Sequence, residues 1–137
     1  MKIVPRVRVE APVNPTESLA KVKLACLNVF PDLAFSEAGE TLVGEGANVE
    51  HFRTLVRNER IRDTARDILI RGRQGSETRF RLNKQAAYVG RVNFAADAPL
   101  GNLAVVIEDD DLDALIDRLA ESTVGRRLTP RERTGGT

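Results

Sequence analysis

The sequence has little cysteine, histidine or aromatic side chain. Its 137 residues include one cysteine, one histidine, one tyrosine and no tryptophan. The single cysteine, Cys26, excludes an internal disulfide bond, and with only His51 beside it the chain cannot form a structural Cys/His zinc site. We therefore predict a protein of the reducing cytosol that carries no metal and no cofactor.

Long apolar runs are also missing. The N-terminal segment is interrupted by Pro5, Arg6, Arg8 and Glu10, which is unlike the apolar stretch of a signal peptide. No later stretch approaches the roughly 20 apolar residues that a membrane-spanning helix needs. These two absences predict a cytoplasmic protein without a membrane partner.

What remains is the composition of an ordinary globular domain. Hydrophobic residues make up 42% and charged residues 30% of the chain, which is too apolar for a fully disordered protein. A chain of this length can bury one hydrophobic core. We predict a single domain over residues 1–125, followed by a flexible polar tail over residues 126–137.

Periodicity predicts a strand and a helix at the start of the domain. Residues 3–11 alternate between apolar and polar side chains, as in a half-buried strand. Asn14 stands where a helix cap would, followed by Pro15 and by Glu17 at capping-box spacing, so a helix is predicted from there to about Val29.

A hairpin and a longer helical region follow. Leu33–Phe35 and Thr41–Val43 flank Gly39, which predicts two short strands joined by a turn. Residues 49–71 have helical periodicity whose phase slips near Asn58. This slip indicates two helices or one bent helix.

The rest of the domain alternates between strands and helices. Thr78–Leu82 has the pattern of a half-buried strand, and Asn83 can cap a short helix that runs through Val92. Leu103–Ile107 predicts a last strand, and residues 111–121 predict a last helix. Since several connections are too short for parallel crossovers, the sequence predicts an α+β domain with a mostly antiparallel sheet and helices packed on it.

The charges are segregated along the chain. Residues 48–91 hold eleven Lys and Arg against five Asp and Glu, a balance of +6, whereas residues 97–121 hold one against eight, a balance of −7. Basic side chains neutralise phosphates and release counterions, and the planar guanidinium of arginine suits phosphate oxygens. The basic segment therefore predicts a nucleic acid as a partner.

Particular positions in this segment suit a phosphate backbone. Arg79 and Arg81 should share the outward face of one strand. Lys84 and Gln85 begin a helix at a strand-to-helix junction, where backbone N–H groups lie beside an ammonium group. The candidate RNA-binding set is Arg62, Arg66, Arg79, Arg81, Lys84, Gln85 and Arg91.

Two other interpretations of these charges remain open. In the first, the arginines form ordinary surface ion pairs with Glu59, Asp63 and Asp67, and Asn83 serves only as a helix cap. In the second, the basic segment of one subunit meets the acidic segment of another, which would give a charge-complementary homodimer or hetero-complex. In either interpretation, these residues do not bind RNA.

Other possible sites are better explained by structure. The acidic run Glu108–Asp113 suits the start of a helix and lacks the glycine and glutamate of a calcium loop. Gly44–Gly46 predicts a tight turn, because Glu45 would repel a phosphate. Cys26 and Phe80 lie on apolar faces and are predicted to be core residues. No residues combine into a catalytic set, so we predict a noncatalytic protein.

The segment Leu82–Phe94, with the run Asn-Lys-Gln-Ala-Ala followed by Gly90, resembles the signature of an uncharacterised archaeal protein family. That family is related to predicted RNA-binding proteins linked with the exosome. Ile61–Arg66 resembles its middle segment, and the stretch from Leu100 to Ala120 resembles its last strand and helix. The resemblance implies an α+β fold similar to that of a large-subunit ribosomal protein, an archaeal source and a homodimer.

Overall fold

The computed structural model describes residues 5–94 and 101–121, which form a six-stranded sheet and five helices. The strands are β1 (Arg6–Pro12), β2 (Ala34–Ala38), β3 (Thr41–Gly46), β4 (Arg73–Gln74), β5 (Glu77–Asn83) and β6 (Asn102–Glu108). The helices are α1 (Leu19–Val29), α2 (Glu50–Asn58), α3 (Arg62–Arg71), α4 (Lys84–Tyr88) and α5 (Leu112–Leu119). None of these helices is long and apolar enough to cross a membrane.

The sheet has the order β2-β3-β1-β6-β5-β4, and every neighbouring pair is antiparallel. Along β1 the buried side chains Val7, Val9 and Ala11 alternate with exposed ones, and β5 has the same alternation. The helices cover the buried face, and the other face is open to solvent. The predicted α+β architecture is confirmed.

Three stacked phenylalanines run through the core. The ring centroids of Phe30 and Phe52 lie 5.5 Å apart, and those of Phe52 and Phe80 lie 5.6 Å apart. Since Phe80 is only 7% exposed, its prediction as a core residue is confirmed. Cys26 is buried in the same core, and burial raises the pKa of its thiol to about 11, although the charge of Lys84 opposes that shift.

The first helix begins later than its sequence signals predict. Ser18 is the N-cap, and its hydroxyl accepts a hydrogen bond from the Lys21 backbone N–H. Asn14 instead lies in a turn, where its backbone N–H donates to the Glu17 carboxylate at 2.9 Å. The two capping-box residues do meet, but Glu17 also accepts from Lys84, and the helix begins only after Ser18.

Gly44–Gly46 lies inside β3, so the prediction of a tight turn is wrong. A Cβ atom at Gly44 would lie 2.9 Å from the Phe35 ring, and one at Gly46 would lie 2.5 Å from the Asp32 carboxylate. The two glycines therefore allow neighbouring side chains to approach the strand. Turn formation is not their role.

The other predicted elements are confirmed with small shifts in their bounds. The helical region over residues 49–71 is divided into α2 and α3, and Asn83 caps α4, which ends at Tyr88 before the predicted Val92. The Asn83 side chain accepts from the Ala86 N–H at 2.9 Å. The predicted tail over residues 126–137 lies outside the described residues.

Candidate nucleic-acid interface

The open face of the sheet brings together side chains from distant parts of the chain. In the strand register, Val106 on β6 lies between Arg8 on β1 and Arg79 on β5. In the next row, Ala104 lies between Glu10 and Arg81. Since adjacent strands are about 4.8 Å apart, the flanking residues of each row stand about 10 Å apart at the backbone.

These two rows enclose a shallow groove, which we call the sheet groove. It has a volume of about 390 Å³, and its floor is formed by the small outward side chains of Ala104 and Val106. Long side chains form its walls: Arg8 and Glu10 on one side, and Arg79 and Arg81 on the other. A row of small residues between long side chains, three of which are arginines, leaves room for an extended, charged ligand.

The arginines of the sheet groove differ in their ion pairs. Arg8 lies 3.1 Å from the Glu10 carboxylate, and Arg79 lies 3.1 Å from that of Glu77. The two arginine side chains are half exposed or more, so the pairs are weak and the glutamates can be exchanged for other anions. Arg81 is exposed and has no ion pair within the described part of the chain.

The open face as a whole is not a uniformly basic surface. Its outward charges are Arg6, Arg8, Arg79 and Arg81 against Glu10, Glu45, Glu77 and Glu108. The positive charges are concentrated at the sheet groove, where three of the four arginines lie and only one of the four glutamates does. Attraction of an anion therefore depends on position more than on net charge.

Arg62 and Arg66 lie on the helical layer instead, away from the sheet groove. Arg62 is 3.6 Å from Glu121, and the Arg66 guanidinium donates to Asp117 at 2.6 Å. On the same side of the molecule Arg73 pairs with Asp113. Three residues of the acidic segment, Asp113, Asp117 and Glu121, are thus paired with basic residues of the same chain.

Lys84 is fully buried, so its predicted role as a phosphate contact is corrected. Its ammonium group donates to the Pro12 carbonyl at 2.7 Å and to the Glu17 carboxylate oxygens at 3.0 and 3.3 Å. The Glu17 carboxylate also accepts from the Tyr88 hydroxyl at 3.3 Å. This group, the Lys84 cluster, joins the end of β1 to α4 and has no accessible ammonium.

The Glu17 carboxyl in this cluster has a lowered pKa. Burial raises the pKa, but the hydrogen bond from the Asn14 backbone, the hydrogen bond and charge of Lys84, and the Tyr88 hydroxyl together outweigh burial. The pKa of the Tyr88 phenol is raised, by burial and by the negative charge of Glu17. The cluster is therefore built around an ionised carboxylate.

We expect this carboxylate to make the protein sensitive to acid. A group with a lowered pKa in the folded state contributes stability above its unfolded pKa and loses it as the pH falls through the folded pKa. The free energy of unfolding should therefore decrease in the acidic range below the ordinary pKa of a glutamate. Urea unfolding at several pH values should show a shallower decrease for Glu17→Gln, and equal slopes would contradict the assignment.

The last two predicted residues, Gln85 and Arg91, do not line the sheet groove. Gln85 is exposed at the start of α4, and Arg91 is exposed with its guanidinium 3.8 Å from Glu59. The pairing of Arg91 with Glu59, and of Arg71 with Asp67 at 3.0 Å, is the ordinary surface arrangement that was the alternative interpretation. Of the seven predicted residues, only Arg79 and Arg81 share one site.

Sequence reasoning missed Arg8, Glu10, Ala104 and Val106 as members of a site. Arg8 and Glu10 already stood on the polar face of the predicted first strand. The missing information was the strand order, because only the position of β6 between β1 and β5 brings these residues opposite Arg79 and Arg81.

The residues that the structure describes contain no candidate metal site. Within residues 5–94 and 101–121, no group of three or more His, Cys, Asp or Glu could hold a metal ion. His51 is exposed at the start of α2, and Asp111 caps α5 by accepting from the Ala114 N–H. The acidic run thus begins a helix, as its sequence predicts.

Comparison with known proteins gives a family and a set of relatives. A family model described as RNA binding matches residues 6–108, which extend from β1 to the end of β6. The chain is 40% identical over 124 residues to a UPF0201 protein of Thermococcus onnurineus, covering 85% of this chain and 92% of that one. It is 41% identical over 119 residues to a UPF0201 protein of Methanothermobacter thermautotrophicus, covering 84% and 90%.

Solved structures agree with the fold. A crystal structure of an uncharacterised UPF0201 protein superposes with a TM-score of 0.81 at 33% identity, covering 86% of this chain and 94% of that chain. The UPF0201 protein from Methanococcus jannaschii gives a TM-score of 0.78 at 38% identity, with coverage of 88% and 96%. A more distant protein from Archaeoglobus fulgidus, at 23% identity and a TM-score of 0.60, shares the fold alone.

Proposed function

Since the chain belongs to the UPF0201 family of archaeal proteins, and the family model that it matches is described as RNA binding, we propose that it is a noncatalytic RNA-binding protein that uses the sheet groove. In this role it would be an accessory to RNA processing in the cytoplasm. Its work would be to hold RNA, with the chemistry performed by other proteins.

The observation that carries the proposal is the arrangement of three arginines around a floor of small residues. Arg8, Arg79 and Arg81 stand on both sides of Ala104 and Val106. Guanidinium groups at this spacing can contact successive phosphates of one strand, while the small floor keeps the backbone close to the sheet.

The groove also indicates how RNA would be bound. Phe80 is the aromatic residue among those that line it, but its ring is buried in the core at 7% exposure. Base stacking on rings, which many single-strand binders use, is therefore not available there. Binding would rest on phosphate contacts, which position RNA and carry little sequence information. We therefore expect weak sequence preference and strong dependence on salt.

The rival function, a charge-complementary assembly, has less support. It needs the acidic residues near α5, and a second subunit would have to displace the arginines of the same chain that pair with Asp113, Asp117 and Glu121. A homodimer that uses another surface is compatible with the RNA proposal. Sedimentation at low and high salt would reveal an assembly held by charge.

The test is binding of the purified protein to single-stranded and duplex RNA and to matched DNA, measured at several salt concentrations. We expect binding of RNA in the micromolar range or tighter, with log affinity falling linearly against log salt concentration. The absence of RNA binding even at low salt would refute the proposal. Binding that does not vary with salt would refute the role of the arginines.

A further inference from the structure

The α2–α3 corner contains an arginine in a backbone conformation that glycine normally occupies. Arg60 has a φ of 58°, and it is the one residue other than glycine with a positive φ among those that the structure describes. The Arg60 N–H donates to the Arg57 carbonyl and the Ile61 N–H to the Val56 carbonyl, both at 3.1 Å. This is the Schellman arrangement that ends many helices, and its left-handed position is usually glycine.

Within the described part of the chain, no polar contact of the Arg60 side chain offsets this backbone strain. The side chain is exposed and makes no ion pair or side-chain hydrogen bond within the described part of the chain. Glycine at this position would keep both backbone hydrogen bonds and remove the strain. A strained residue whose side chain has no structural partner indicates a function for that side chain.

Arg60 lies in a recess that is lined mainly by arginines. Arg57, Arg60, Arg62 and Asp63 line a recess of about 370 Å³. Arg57, like Arg60, is exposed and has no ion pair in the described residues. Arg62 is 3.6 Å from Glu121, and Asp63 has an interaction of its own. Three guanidinium groups thus face one carboxylate in a small concave site.

We propose that the α2–α3 corner is a phosphate-binding site, in which Arg57 and Arg60 supply the principal contacts and Arg62 a third. Guanidinium groups bind phosphate oxygens through paired hydrogen bonds. The corner lies on the helical layer and shares no residue with the sheet groove, so it is a second site. The phosphate belongs either to RNA, at its 5′ end, or to a small phosphorylated compound.

Because Arg60 has a left-handed backbone conformation, Arg60→Gly tests the side chain without destabilising the fold. It removes the guanidinium group and relieves the backbone strain together, so the thermal midpoint of unfolding should not fall. Arg57→Gln removes the second contact at an exposed helical position. Arg71→Gln is the matched control, because Arg71 is an exposed helical arginine that pairs with Asp67 outside the corner.

Calorimetric titration with inorganic pyrophosphate, and with one RNA oligonucleotide carrying either a 5′-phosphate or a 5′-hydroxyl, tests the site. We expect Arg60→Gly and Arg57→Gln to lower the affinity for at least one phosphorylated probe about tenfold or more, with Arg71→Gln unchanged. An effect on the 5′-phosphorylated RNA alone identifies RNA as the source. An effect on pyrophosphate alone identifies a small compound.

The proposal is overturned if Arg60→Gly, shown to be folded by its thermal midpoint, binds both probes as well as the unchanged protein does. It is also overturned if the control loses as much affinity as the corner variants, since any surface arginine would then suffice. Substitutions in the sheet groove should leave pyrophosphate binding unchanged. The two sites can therefore fail or succeed independently.

Discussion

Lys84→Met is expected to destabilise the protein by about 3–5 kcal/mol, the usual cost of removing one partner from a buried ion pair. Methionine fills much of the same space but cannot donate hydrogen bonds. The substitution would leave the Glu17 carboxylate and the Pro12 carbonyl without the ammonium that they now share. An exposed lysine, as the sequence predicted, would cost almost nothing to replace. Urea unfolding at neutral pH measures the difference.

The double variant Glu17→Gln/Lys84→Met provides the control for this prediction. It removes both charges, so no uncompensated carboxylate remains in the cluster, and it should recover part of the lost stability. If the single variant loses less than about 1 kcal/mol, the buried pair is not formed in solution. If the double variant is as unstable as the single one, packing of the lysine chain matters more than its charge.

Replacing Arg79 and Arg81 together by alanine is expected to weaken RNA binding about 10- to 100-fold, because each charged hydrogen bond to a phosphate contributes on the order of 1 kcal/mol or more. The slope of log affinity against log salt concentration should become shallower by up to about 1.4 for single-stranded RNA. The change in slope is the more specific readout, since it counts the phosphate contacts that were lost.

The double variant should remain folded, so a loss of RNA binding would not be a result of unfolding. Both arginines are exposed on the open face of the sheet, and substitutions at such positions usually change stability by less than about 0.5 kcal/mol. Arg71→Ala is a matched control that removes one exposed arginine outside the groove. If the double variant keeps the salt slope of the unchanged protein, the sheet groove is not the RNA-binding site, whatever the affinity of the variant.

The sequence predicts local structure well and the site only in part. Alternation in Thr78–Leu82 correctly places Arg79 and Arg81 outward, because that periodicity depends on one strand alone. Lys84 shows the limit of the method. Its position at a helix start suggested exposure, but its burial depends on Glu17, which is 67 residues away in the sequence.

The segregation of charge along the sequence is likewise real, but it does not identify the partner of the charged residues. The counts along the chain do not distinguish pairing within a subunit from pairing between subunits or with RNA. The packing of α3 near α5 brings Arg62 and Arg66 to Glu121 and Asp117 of the same chain. Sequence reasoning had no means to predict that packing, since it depends on which helix faces lie together over the sheet.

The position of β6 has a consequence for synthesis on the ribosome. This strand is translated after all the others, yet it lies between β1 and β5 and forms the floor of the sheet groove. A nascent chain that ends before residue 102 can pair β1 only with β3 and β5 only with β4. The two walls of the groove therefore cannot face each other across β6 until residues 102–108 have been made, and a shorter nascent chain has no sheet groove.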